Sequence, residues 1–130
     1  MKKLFVTITL LLVLLVGNLF AYDFRIIKKS GGITYLWDLD ATKPNAPSSK
    51  ELNNWISEME ELGFECTVNE VIPLSKVLGK KNTLIDEVLL ARSHGCYTMG
   101  AVDENDLSCV YFFVSKKDIF IIAFETTIWR

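Results

Sequence analysis

Two runs near the C-terminus, Val110-Tyr111-Phe112-Phe113-Val114 and Ile119-Phe120-Ile121-Ile122-Ala123-Phe124, are apolar at every position. Side chains of a strand alternate between the two faces of its sheet, so a strand wet on one side alternates apolar with polar. These two do not, and any sheet containing them must be covered on both faces. Lys116-Lys117 marks the turn between them. With Ser115 opposite Asp118, the pairs run Val114–Ile119, Phe113–Phe120, Phe112–Ile121, Tyr111–Ile122 and Val110–Ala123. One face then carries Tyr111, Phe113, Phe120, Ile122 and Phe124. The other carries Val110, Phe112, Val114, Ile119 and Ile121.

The covering layers come from earlier in the chain. Residues 24–29 and 33–39 read as strands joined by Ser30-Gly31-Gly32, and prolines 44 and 47 end that hairpin in a loop over 40–47. Ser48 with Glu51 three residues later is a capping box. Leu52, Trp55, Ile56, Met59 and Leu62 then recur at helical spacing, and Gly63 supplies the stop. A strand is expected over 64–68. Val71, Ile72, Leu74, Val77 and Leu78 around Pro73 fit a short helical turn over the core. A second helix runs from a cap at Thr83, paired with Asp86, to Gly95, showing Leu84, Ile85, Val88 and Leu89. Strands over 96–102, 108–115 and 119–127 complete the order β-β-α-β-α-β-β-β.

That order predicts an α+β domain with a mixed sheet, two main amphipathic helices and right-handed β-α-β crossovers. The two helices have apolar surface enough for one face. The other is closed by the N-terminal strands, by the 69–82 segment, or by another chain, as a homodimer or a protein partner. In the last case Val110, Phe112, Val114, Ile119 and Ile121 are the interaction surface.

Residues 1–21 have the order of a secretory signal: Lys2 and Lys3, an apolar run over 4–16 broken only by Thr7 and Thr9, and a small-residue exit at Ala21. Cleavage there leaves residues 22–130 as a single domain outside the cytoplasm, periplasmic or secreted. Position 18 is Asn, where a lipoprotein would need Cys. If the segment stays uncleaved, it is long enough to anchor the domain to a membrane. Of 14 Lys+Arg, two lie in this leader, so the remainder is net acidic against 16 Asp+Glu. An acidic domain without a basic stripe argues against nucleic acid.

Export permits a disulfide among Cys66, Cys96 and Cys109, while burial as free thiols suits them equally. His94, the only histidine, could join these cysteines around zinc or serve one of them as a base. The two-residue step from His94 to Cys96 is too tight for ordinary ligand pairs, and a helix-end role for His94 fits better. Asp38 and Asp40 could form a carboxylate pair, and Asp103-Glu104-Asn105-Asp106 reads as a hairpin tip without calcium-loop spacing. Lys28-Lys29, Lys80-Lys81 and Lys116-Lys117 would attract an anionic surface if their turns shared one end of the sheet. No catalytic residue, cofactor or metal ligand is assigned. The expected role is a non-catalytic binding or protein-interaction module. The alternatives are a small extracytoplasmic enzyme, using His94 with a cysteine or an Asp38-centred pair, and a membrane-tethered structural domain.

Overall fold

The computed structural model describes residues 23–77, 79 and 82–126, and its strands form one six-stranded antiparallel sheet. The expected signal at 1–21 lies outside the described residues, as do Leu78, Lys80, Lys81 and Thr127. In chain order the elements are β1 (Phe24–Ser30), β2 (Ile33–Asp38), α1 (Ser49–Glu61), β3 (Phe64–Pro73), α2 (Leu74–Val77), α3 (Thr83–Ser93), β4 (Thr98–Asp103), β5 (Ser108–Val114) and β6 (Asp118–Thr126). The α+β class and the expected succession of elements hold, with α2 as the short turn foreseen after Pro73.

Across the sheet the strands run β1-β2-β4-β5-β6-β3. Every hydrogen-bonded pair is antiparallel, yet β2 and β3 run parallel to each other within the sheet, so the passage through α1 is a crossover as expected, while the passage from β3 to β4 is not. The chain leaves β2, passes through α1, and enters β3 at the far edge beside β6. It then returns through α2 and α3 to β4, which runs antiparallel to β3. Strand β3 is also longer than expected, reaching Pro73, with a bulge between Cys66 and Val68.

The β5–β6 hairpin has the register read from the sequence, from Val114 opposite Ile119 to Val110 opposite Ala123. Its turn closes on itself: the Ser115 amide donates to the Asp118 carbonyl (2.9 Å), and the Asp118 amide donates to Ser115 Oγ (3.0 Å). Both faces carry helices, and the 69–82 segment, through α2, lies over the second face as one of the expected alternatives. One main helix goes to each face instead of both to one.

Helix α1 lies on the first face, where Trp55 and Met59 pack with Phe24, Leu36, Tyr111, Phe113, Ile122 and Phe124. Its N-cap is formed by the expected pair: Ser48 Oγ accepts the Glu51 amide at 3.2 Å and donates to the Glu51 carboxylate. Gly63, at φ 94°, makes the left-handed stop. Trp55 centres an aromatic cluster, with ring centroids 4.6 Å from Tyr111 and 5.5 Å from Phe113. Gly100, opposite Tyr111 on β4, makes room for that ring.

Helices α2 and α3 cover the second face, placing Leu74, Val77, Val88 and Ala91 over Met99, Phe112, Val114 and Ile119. The cap of α3 is Asn82 rather than Thr83. Its Oδ1 accepts the amides of Leu84 and Ile85 at 2.9 and 3.2 Å. The loop after β2 is tied down by Tyr97 donating to the Ala41 carbonyl and Asn45 donating to that of Val114.

Candidate functional site

The helices on the second face are too short to cover it. Beyond the first turn of α3 a groove of about 640 Å³ stays open. The register explains its shape. Ala101 on β4 pairs with Val110 on β5, Val110 with Ala123 on β6, and Ala123 with Val68 on β3. These small side chains lie in one row across four strands and leave a depression. The next row inward carries Phe112 and Ile121, which with Leu84, Ile85, Val77 and Ile72 form an apolar wall. The outer row is polar: Asp103, Ser108 and Glu125, with Thr67 beside it at the β3 bulge, while Glu70 ends the inner row on β3 opposite Ile121.

Only part of the sequence-derived interaction surface reaches this groove. Val110 and Ile121 are half-buried and line it, and Phe112 shows it one edge. Val114 and Ile119 are fully buried under the helices and cannot meet a partner. Sequence reasoning missed Ala101 and Ala123, whose small size makes the concavity, and the wall from α3. An alanine inside an otherwise bulky strand was the available signal.

The other candidates do not converge on one site. His94 caps α3 at its C-terminal end, its ring exposed and 5.7 Å from that of Trp37. Its Nδ1 lies 3.0 Å from the Leu90 carbonyl, which can only accept, so that nitrogen carries the proton. The buried Cys96 thiol turns the other way and donates to the carbonyls of Asp38 and Thr98 at 3.3 and 3.2 Å. Cys66 and Cys109 pair with Phe124 from opposite sides of β6. Two strand spacings place them roughly 9–10 Å apart, too far for a disulfide. All three cysteines are free thiols. Burial raises the pKa of each, and that of Cys109 is pushed up to about 12. None is an activated nucleophile. Among the described residues, no group of three or more His, Cys, Asp or Glu side chains could hold a metal ion.

Asp38 and Asp40 do not share a site. Asp38 is buried and its Oδ1 accepts the Asp40 amide at 3.0 Å, ending β2 before Leu39, whereas Asp40 is exposed. Burial raises the Asp38 pKa, opposed by backbone amides that donate to it. At the tip after β4, Asp103 Oδ1 accepts the amides of Asn105 and Asp106 at 3.0 and 3.2 Å, so this carboxylate shapes a turn. The two described lysine pairs do not converge either. Lys28 and Lys29 stand at the β1–β2 turn and pair with Glu87 and Glu104; Lys116 and Lys117 occupy the β5–β6 turn at the opposite end of the sheet.

Comparison with family models, curated proteins and solved structures finds no match to this chain. Function must therefore be argued from the groove itself. The described residues make a small α+β domain with free thiols, and none of their helices is long and apolar enough to cross a membrane.

Proposed function

We propose that this chain is an exported, non-catalytic binding domain whose ligand lies in the groove over Ala101, Val110 and Ala123. Residues 1–21 direct export, cleavage follows Ala21, and residues 22–130 act outside the cytoplasm. The groove carries the binding reading. It has the volume of a small-molecule site, mostly apolar with a few polar groups around its edge. Among the described residues no thiol is hydrogen-bonded to His94 or to a carboxylate, and the Cys96 proton goes to backbone carbonyls, which supports binding over catalysis, since a nucleophile needs its base within hydrogen-bond reach.

The test is a filled groove. Ala123→Phe places a ring on the floor, where Ala123 is half-buried and faces open space. The exported protein should bind the neutral apolar dye Nile red at one site. Ala123→Phe should abolish that binding while keeping the urea midpoint at or above the parent value. Undiminished dye binding by a folded variant would refute the assignment. For export, the N-terminal peptide of the secreted protein should begin at Tyr22; one beginning at Met1 would show an uncleaved leader.

A further inference from the structure

We infer that the groove takes a small amphiphile with a cationic head, its apolar body on the floor and its ammonium or guanidinium at the carboxylate margin. This rests on the binding reading above and adds the ligand's charge. Among the described lining residues the charged side chains are Glu70, Asp103 and Glu125, and none is basic. Asp103 marks the β4 side of the margin, and its two turn hydrogen bonds hold the carboxylate in place. Glu70 is exposed on β3, opposite Ile121, at the other side. Two described lysines at the β1–β2 end are engaged elsewhere: Lys28 pairs with Glu87, and Lys29 lies 3.7 Å from Glu104; Lys76, next to Val77 on α2, is exposed and is not among the described lining residues.

A further carboxylate oxygen lies behind the wall. Glu87 Oε2 is buried without a hydrogen-bond partner. It borders a void of about 10 Å³ bounded by Leu84, Ala101 and Phe112, three residues that also line the groove. Lys28 compensates the Glu87 charge through its other oxygen, so the field comes from the lining carboxylates. Set on either side of a low-dielectric floor, they attract a cation and repel an anion. Lys80 and Lys81 precede Asn82 and lie outside the described residues, and an anionic ligand in the experiment reads their contribution directly.

The experiment uses the exported protein and three ligands of one chain length: decylamine, decanol and decanoate, each below its micelle concentration and competing with bound Nile red. Decylamine should displace the dye at about tenfold lower concentration than decanoate, with decanol between them, a span of about 1.4 kcal/mol. Glu70→Gln with Asp103→Asn should erase the amine preference and leave decanol unchanged. Both replacements keep an acceptor oxygen, so the Asp103 turn survives. Raising the salt should weaken decylamine alone. Decanoate equal to or tighter than decylamine would overturn the charge inference and leave the groove standing. Failure of all three, with dye binding untouched by Ala123→Phe, would overturn the groove itself. Displacement by a lysine-containing apolar peptide but not by decylamine would refute the small amphiphile.

Discussion

Replacing Tyr111 by Phe should stabilise this domain. Tyr111 is wholly buried in β5, and its ring packs against Trp55 at 4.6 Å, Phe24 at 5.4 Å and Phe124 at 6.4 Å. Its hydroxyl has no hydrogen-bond partner of ordinary geometry; it meets the Cys109 thiol beside it only in a weaker contact. Burying an unpaired hydroxyl costs about 1–3 kcal/mol in proteins. Phe keeps the ring and its three aromatic neighbours and removes only the oxygen. The void left, roughly 10 Å³ at about 24 cal/mol per Å³, costs about 0.2 kcal/mol. The expected net gain is therefore about 1 kcal/mol. Urea unfolding at pH 7, followed by tryptophan fluorescence, should show a midpoint higher by about 0.5–1 M at unchanged slope. A midpoint lower by that amount would refute the reasoning and show that the hydroxyl is well bonded. Repeating the substitution in Cys109→Ala then identifies the partner. A loss that disappears in that background belongs to the Cys109–Tyr111 pair, and one that persists belongs to another group.

Gly100→Ala should destabilise by about 1–2 kcal/mol, because its Cβ would stand 3.0 and 3.2 Å from Tyr111 ring carbons and 3.3 Å from the Val110 carbonyl. A denaturation midpoint equal to the parent's would show that the ring can slide aside. Cys109 makes stability fall in alkali. The unfolded thiol releases its proton near its ordinary 9.0, while burial keeps the folded thiol protonated to about 12. Its contribution is complete below pH 9 and is lost as pH rises toward 12, at roughly 1.4 kcal/mol per unit. Cys109→Ala should flatten that part of the pH–stability curve, and an unaltered slope would place the alkaline sensitivity elsewhere.

The hairpin of β5 and β6 was legible because its information is local. Every position is apolar, so both faces needed cover, and Ser115 with Asp118 could set the register without knowledge of other strands. The caps of α1 were legible for the same reason: Ser48, Glu51 and Gly63 act within one turn of the helix ends. The destination of each helix was not legible. An amphipathic stripe says that a helix needs an apolar surface, and this sheet offers two. Nor does the pattern of β3 reveal its neighbour. Its bulge near Cys66 breaks the period of two, and its edge position leaves Val71 exposed opposite Phe120. The cap of α3 was misplaced by one residue because Asn82 and Thr83 are both competent; the choice falls to Asn82, whose side chain reaches two amides.

The groove follows from the same division between local and distant information. Six strands spaced about 4.8 Å make a sheet roughly 24 Å across, and the nine residues of β6 extend about 30 Å. The eleven residues of α3 span about 16 Å, and α2 adds one turn. They protect the rows through Phe112, Val114 and Ile119, where the side chains are bulky, and stop short of the row through Ala101, Val110 and Ala123, where they are small. Had that outer row been polar, the short helices would leave an ordinary wet surface. Had it been bulky, they would leave a ridge or a flat patch inviting aggregation. Small apolar residues in register on β4, β5 and β6 instead make a hollow. Fold stability alone does not require that combination, since larger apolar residues there would bury more surface. A ligand needs the space that packing would otherwise fill. For this reason the three floor positions, and not the fully buried Val114 and Ile119, are where substitutions should change binding without unfolding the domain.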